Sequence, residues 1–131
     1  DVAKPEQGGG LFAIRISTGE KIWYAAPPSP PCLGKSGCTA AQMAPVTVIP
    51  NVVFSGSMDG HLRAYGTAGG KPLWDFDTLR SYDTLNGVKA GGGSLNATGP
   101  TVAGGMIYVN SGYGQLGGMP GNVLLAFAPE H

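Results

Sequence analysis

Charge is scarce in this sequence. Charged side chains make up 12% of the 131 residues, and eight basic and eight acidic residues give a formal net charge of zero. A typical globular chain has about twice this share of charged residues. No basic cluster is present, so nucleic acid is not an expected partner. No apolar run approaches the ~20 residues of a membrane span, so no span is predicted.

Histidine and cysteine are also rare, with two residues of each. No grouping of His, Cys and Asp has the spacing of a zinc site. A Ser-His-Asp arrangement is not indicated, because the internal histidine, His61, lies beside a turn. Residues 112–117 match the pattern G-x-G-x-x-G, but residues 118–121 cannot begin the long helix that a dinucleotide site requires. No signal peptide is recognised, so the signal of a secreted parent is expected upstream of residue 1.

A helical period is missing, whereas glycine and proline are abundant, at 23 and 11 residues. The 42% of hydrophobic residues are enough for a packed core. Between residues 52 and 77 the apolar residues alternate with period 2, and tight turns at 57–60 and 66–70 interrupt the pattern. This is typical of a three-stranded β-meander. We therefore predict an all-β fold.

Nine strands are predicted in all, three of them in this meander. Those of the meander are predicted at 52–55, 61–65 and 73–76. The others are predicted at 11–16, 21–24, 43–49, 100–102, 106–110 and 122–127. The segments 25–40, 77–99 and 111–121 are predicted as loops.

Two pieces of the meander are repeated along the chain. Ala13 and Trp23 are ten positions apart, as are Ala64 and Trp74, and the second pair follows the first by 51 residues. The segment that begins at Pro45 also matches a later one at a spacing of 55 residues. A repeat of ~40–50 residues with four short strands is typical of a β-propeller blade, which is stable only when it stacks on its neighbours. A small β-sandwich is the alternative.

The spacing of alanine, glycine and tryptophan in both copies resembles the tryptophan-docking motif of quinoprotein propellers. The glycine supplies the turn backbone, the alanine leaves room for an indole, and the tryptophan is expected to fill the space between blades. Both copies depart from the family pattern, since Arg15 replaces its aspartate and Gly69 its threonine. The matching residues are Ala13, Gly19, Trp23, Ala64, Gly70 and Trp74. They would otherwise be ordinary core residues of an unrelated sandwich.

Longer runs resemble polyvinyl alcohol dehydrogenases and their relatives. The matching runs lie at 46–60, 86–94 and 99–114, and the likeness covers most of residues 8–128. This resemblance implies that residues 1–131 are the C-terminal part of an eight-bladed propeller, with about two and a quarter blades at 8–26, 40–78 and 95–128. It also implies a periplasmic or secreted bacterial enzyme that oxidises alcohols with pyrroloquinoline quinone (PQQ) and Ca²⁺. A cytochrome c is an implied electron acceptor.

A closed propeller needs at least four blades, so we expect the remaining blades of a parent chain as partners. By itself the fragment is expected to be inactive, to bind no cofactor and to self-associate through its open edges. A non-catalytic propeller scaffold, as in outer-membrane assembly lipoproteins, is an alternative function. A free-standing module that binds carbohydrate or a protein partner is another.

The resemblance places the cofactor at the end of the propeller formed by loops 24–42, 56–60, 77–99 and 111–121. Arginine or lysine suits the carboxylates and carbonyls of a quinone, whereas aspartate or asparagine suits Ca²⁺ or general-base chemistry. For any one of these side chains taken singly, a solvated surface loop is the favoured interpretation. The candidate cofactor-binding residues are Arg80, Asp83, Asn86, Lys89, Asn110 and Tyr113. Catalytic residues are not assigned.

Cys32 and Cys38 are predicted to form a disulfide. They are the two cysteines of the sequence, they enclose a short loop, and the resemblance implies an oxidising compartment. Two free thiols are the alternative.

Overall fold

A computed structural model describes residues 9–30, 32, 34–113 and 117–130. Every regular element in these ranges is a β-strand, and all strand pairs are antiparallel. The all-β prediction is therefore confirmed.

The central unit is a four-stranded sheet in which each strand pairs with the next along the chain. Its strands are β3 (Thr47–Ile49), β4 (Val52–Gly56), β5 (His61–Gly66) and β6 (Pro72–Asp77). Positive φ angles at Asn51, Gly60 and Gly70 close its three turns, a conformation that asparagine and glycine adopt most readily. This meander is the one that the alternating pattern predicted.

Smaller sheets precede and follow this unit. β1 (Leu11–Ile14) pairs with β2 (Lys21–Ala25). β9 (Thr101–Ala103), β10 (Met106–Ser111) and β11 (Val123–Phe127) form a three-stranded sheet in the order β11-β10-β9. Sheets of two, four and three strands thus follow one another along the chain. This arrangement was predicted for a partial propeller, and the chain has this fold.

Residues 77–99, predicted as a loop, contain a hairpin. β7 (Ser81–Asp83) pairs with β8 (Lys89–Gly91), so the described residues hold eleven strands rather than nine. Asn86-Gly87 lies at its tip, where Gly87 has a φ of 76°. An Asn-Gly pair is the strongest short-range signal for a hairpin, so the sequence carries a local signal for these two strands.

Two predicted strands are shorter in the structure. The strand predicted at 43–49 begins only at Thr47, because Pro45 has no N–H to donate to a sheet. The strand predicted at 11–16 ends at Ile14, since the carbonyl of Arg15 accepts the N–H of Gly19 at 2.8 Å and begins a turn.

The alanine–tryptophan repeat has a direct structural counterpart. Ala13 lies opposite Trp23 and Ala64 lies opposite Trp74, and the register shifts immediately after the alanine in both pairs. The second repeat needs a correction. Ile49 pairs with Val52 and Ala103 pairs with Met106 across two-residue turns, so these hairpins correspond at a spacing of 54 residues rather than 55.

The two tryptophans differ in their surroundings. The indole Nε1 of Trp23 donates to the carbonyl of Thr67 at 2.8 Å, and its ring lies so close to Gly70 that a Cβ there would be 2.5 Å from Cε3. Trp74 instead meets the ring of Phe127 edge-on at 5.3 Å and is 37% exposed. Within the described part of the chain its N–H has no acceptor. Trp23 and Trp74 therefore occupy equivalent strand positions, but their indoles have different neighbours.

An apolar core joins the four-stranded and three-stranded sheets. Leu62 and Leu95 are 0% and 1% exposed and pack with Val109, and Leu125 and Phe127 of β11 cover them. Burying a leucine fully is favourable by roughly 1.5–3 kcal/mol. This contact fixes one sheet face to face on the next, as successive blades require.

Candidate functional site

The loops that the sequence analysis grouped at one end of the fold are in contact there. Loop 56–60 receives a hydrogen bond from the N–H of Leu95 to the carbonyl of Ser57 at 3.0 Å. The N–H of Met58 donates to Ala41 at 2.8 Å, in the first loop. The N–H of Ser94 donates to Met119 at 3.0 Å, in the last. Four segments distant in sequence are thus held together mainly by main-chain bonds.

The disulfide lies within this loop cluster. Cys32 and Cys38 are bonded, and both are at least 95% buried. Met119 and the partly buried Leu79 pack against them. The prediction of the disulfide is confirmed, and the packing of Leu79 and Met119 on it brings the third and fourth loops against the first.

Beneath the cluster is a buried ionic network that the sequence analysis missed. Asp59 had been interpreted only as part of a hairpin turn. Its side chain is fully buried, and its Oδ2 accepts from Nη2 of Arg63 at 2.7 Å. Oδ1 of Asp59 also accepts from the hydroxyl of Ser57 and from the N–H of His61. A charge buried so deeply needs partners of this kind, because burying it unpaired would be prohibitively costly.

The network extends to the sheet surface through Arg63. Its Nε donates to Oδ2 of Asp75 at 3.0 Å, and Nδ1 of His61 lies 2.6 Å from the other oxygen of that carboxylate. Burial alone would lower the pKa of Arg63, but its hydrogen bond to Asp59 and the charges of Asp59 and Asp75 raise the pKa overall. Arg63 is therefore a permanent cation that orders the turn, and Asp59 is too enclosed to act on a substrate.

Buried hydroxyl groups hold the loops from the other side. The hydroxyl of Thr78 lies 2.7 Å from that of Ser111 and 2.6 Å from the carbonyl of Gly60. The hydroxyl of Ser94 donates to the carbonyl of Met58 at 2.6 Å and accepts from the N–H of Met119. Since each bond joins segments that are separated by at least 18 residues, the cluster is a rigid platform rather than a set of independent loops.

Three candidate cofactor-binding residues line one hollow. Asp83 and Asn86 come from the β7–β8 hairpin, and Tyr113 comes from the glycine-rich loop after β10. Oδ1 of Asn86 accepts from the hydroxyl of Thr84 at 2.5 Å and from the N–H of Val88 at 3.2 Å. Its amide nitrogen has no partner among the described residues. The hollow thus presents a carboxylate, an amide N–H and a phenol.

The other three candidates lie elsewhere. Arg80 lines a separate hollow beside the disulfide, and its guanidinium lies 4.7 Å from the centre of the Phe76 ring. Lys89 is exposed and lies opposite Asp83 in the register of the hairpin. Asn110 is exposed and donates to the hydroxyl of Thr98 at 3.3 Å. The structure therefore divides the predicted set instead of assembling it in one place.

Two searches of the described residues concern membrane helices and metal ligands. None of its segments is a helix long and apolar enough to cross a bilayer. No group of three or more His, Cys, Asp or Glu side chains within it is arranged to hold a metal ion. Residues 114–116, inside the glycine pattern that was set aside as a dinucleotide motif, lie outside the described residues.

This architecture is a partial β-propeller whose loops meet at one end around a disulfide and a buried ion pair. No family model matches the chain. A polyvinylalcohol dehydrogenase from a Pseudomonas species is 46% identical over 131 aligned residues, which cover 92% of this chain and 20% of that protein. The polyvinylalcohol dehydrogenase of Sphingopyxis sp. strain 113P3 is 43% identical over 140 residues, which cover 98% of this chain and 21% of that protein.

A more distant relative is a 1-butanol dehydrogenase (cytochrome c) of Thauera butanivorans. It is 29% identical over 110 residues, which cover 82% of this chain and 14% of that protein. The chain thus spans about one fifth of the length of the polyvinylalcohol dehydrogenases that it matches. It is related to these dehydrogenases over most of its own length, and the resemblance predicted from its sequence is confirmed.

Proposed function

We propose that this chain is part of a PQQ-dependent alcohol dehydrogenase similar to the polyvinyl alcohol dehydrogenases, which oxidises an alcohol to a carbonyl compound. The observation that carries this proposal is the identity of 46% and 43% to two such enzymes over nearly the whole chain. All three relatives are named as dehydrogenases, so a non-catalytic scaffold is not favoured. PQQ would supply the quinone that accepts the electrons of the alcohol.

The structure supports a role for loop 77–99 as one wall of the cofactor funnel. Its hairpin projects Asp83 and Asn86 into the same hollow as Tyr113. The free amide N–H of Asn86 suits an oxygen of cofactor or substrate, and the cation of Arg80 suits a quinone carboxylate or carbonyl. Lys89 is retained as a second cation for that purpose. Asn110 is retained as a further ligand at the same end of the fold.

Calcium in the parent enzyme would need ligands from beyond the described residues. Ca²⁺ takes six to eight oxygen ligands, and Asp83 is the carboxylate that this chain offers to the hollow. We therefore propose that Ca²⁺ and PQQ bind only to the assembled propeller. The other blades of the parent are the required partners, and the fragment by itself binds neither group.

Several further features of the parent belong to the same proposal. Residues 8–26, 40–78 and 95–128 are pieces of three blades near the C-terminus of an eight-bladed ring. The contact of Trp23 with the turn at 67–70 is one unit of the tryptophan-docking pattern. A buried disulfide suits an oxidising compartment, which supports a periplasmic or secreted location. The name of the Thauera relative supports a cytochrome c as the electron acceptor.

Substitution of the funnel residues in the full-length parent tests the function. Arg80→Ala should weaken PQQ affinity by about 10-fold or more, because a hydrogen bond to a charged group contributes ~1.5–3 kcal/mol. Asn86→Ala and Lys89→Ala should lower PQQ-dependent dye reduction. Thermal stability is measured alongside, and it should stay nearly unchanged for all three variants.

Lys71→Ala is the matched control, since Lys71 is an exposed cation on the turn at the opposite end of the sheet. It should leave both PQQ affinity and turnover at the wild-type level. Normal turnover and PQQ affinity in all three funnel variants would show that loop 77–99 is only a structural connector. The cofactor would then bind to other blades.

A further inference from the structure

The hollow beside the disulfide contains two cations without carboxylate partners. Lys35, from the disulfide loop, and Arg80, from the start of the hairpin, both line it. Within the part of the chain that the structure describes, neither forms an ion pair, whereas Arg15 and Arg63 do. No aspartate or glutamate is among the lining residues. Both cations are exposed, so water solvates them in the free chain, and an anion in the hollow would interact favourably with each.

Hydroxyl groups add to the donors of this hollow. Ser36 and Ser81 line it as well, and no hydrogen bond of either hydroxyl is formed with another described residue. The Arg80 guanidinium lies over the ring of Phe76, and this contact restricts its position. The N–H groups of a guanidinium point outward in its own plane, so they stay available as hydrogen-bond donors. Two cationic and two hydroxyl side chains therefore line the same hollow.

The floor of the hollow is apolar and firmly held. Leu79 and Met119 line it, and both also pack against the buried disulfide. The N–H of Leu79 donates to Asp77 at 2.8 Å, and the N–H of Gly92 donates to the carbonyl of Arg80 at 3.0 Å. The main chain around the hollow is thus positioned by its own hydrogen bonds, and the cations are presented on a fixed base.

We propose that Lys35, Arg80, Ser36 and Ser81 form a binding site for a carboxylate-bearing ligand. Carboxylate suits the site because it accepts hydrogen bonds from a guanidinium, an ammonium and hydroxyls at once. A neutral alcohol has no charge for these cations, so the ligand is not the alcohol substrate. The carboxylate comes either from PQQ, which rests on the function proposed above, or from a free small acid.

Titration of the 131-residue chain with malonate, followed by two-dimensional amide NMR, tests the site directly. Malonate should shift the resonances of residues 35–36 and 80–81, and malonamide, which has the same shape without charge, should not. Lys35→Gln and Arg80→Gln should each weaken malonate binding by about 10-fold, and Lys71→Gln should leave it unchanged. Unshifted spectra, equal binding of malonamide, or an equal loss in Lys71→Gln would overturn the proposal.

Competition with PQQ distinguishes the two sources of the carboxylate. The full-length parent is used for this step, with equilibrium dialysis of PQQ as the readout. If PQQ is the ligand, malonate should displace it, and Lys35→Gln should raise its dissociation constant. If a free acid is the ligand, neither malonate nor Lys35→Gln should change the dissociation constant of PQQ, and malonate should still bind to the wild-type protein. Normal turnover and PQQ affinity in all three of Arg80→Ala, Asn86→Ala and Lys89→Ala would contradict the funnel proposal and leave the malonate result unchanged.

Discussion

The central sheet and the last sheet use different chemistry at equivalent positions. On β11, Leu125 and Phe127 face the central sheet and pack against the cluster of Leu62, Leu95 and Val109. The equivalent positions of β5 are Arg63 and Tyr65, because Tyr65 pairs with Val53 as Phe127 pairs with the corresponding Ile107. Arg63 is 4% exposed and Tyr65 is 1% exposed. The same place in the repeat therefore holds an apolar pair in one sheet and a polar pair in the other.

The difference shows how a repeated fold tolerates change. An apolar contact loses free energy in proportion to the area removed, so leucine and phenylalanine can be exchanged for similar residues at small cost. The polar pair depends on a complete set of partners, since Arg63 is buried only because Asp59, Ser57 and Asp75 accept its hydrogen bonds. Removing one partner leaves a buried charge unsatisfied.

The largest expected effect is therefore at Asp59. Asp59→Ala should lower the free energy of unfolding by about 3–5 kcal/mol, because it leaves Arg63 buried without its main partner. Leu125→Ala, on the half-buried apolar counterpart, should cost about 1–2 kcal/mol. Urea denaturation measures both. A double variant that combines Asp59→Ala with Arg63→Met should recover part of the lost stability. Equal losses for Asp59→Ala and Leu125→Ala would contradict the proposed difference between the polar and the apolar pair.

The tryptophans of the two interfaces should differ in a similar way. Trp23→Ala should cost about 2–4 kcal/mol, because it removes both the ring packed on Gly70 and the hydrogen bond to Thr67. Trp74→Ala should cost about 1–2 kcal/mol in this chain, since that ring is 37% exposed and makes no such bond within the described residues. Thermal unfolding of the two variants compares them. A larger loss for Trp74→Ala would contradict the structural difference between the two rings.

The smallest effect is expected at alkaline pH. Burial raises the pKa of Tyr65, although the hydrogen bond from Gln42 and the charge of Arg63 oppose this. A raised pKa in the folded state means that the stabilisation is complete below the unfolded value of about 10 and is lost as the pH rises through the folded value. Stability should therefore fall above about pH 10, and Tyr65→Phe should reduce this slope by at most 1.4 kcal/mol per pH unit. Equal slopes for the two proteins in a pH series of urea denaturations would refute the assignment.

The disulfide and the alanine–tryptophan pairs show what could be predicted before any coordinates. The pairing of Ala13 with Trp23 and of Ala64 with Trp74 follows from spacing within one hairpin, which is a local property of the chain. The cysteine bond joins residues six positions apart. The Asn86-Gly87 turn was equally local, so the hairpin that it closes could have been predicted from the same kind of signal.

The sequence by itself determined the strands and tight turns of the central meander, the alanine–tryptophan repeat and the relationship to alcohol dehydrogenases. These depend on alternation, on glycine backbone freedom and on residue identity, all of which are properties of short segments. Only the tertiary structure decided that Asp59 is an ion-pair partner, that Trp23 and Trp74 have different neighbours, and that Arg80 lies with Lys35 and apart from Asp83. Each of those outcomes depends on which distant segments come into contact, because burial and charge pairing are set by residues that are far apart along the chain.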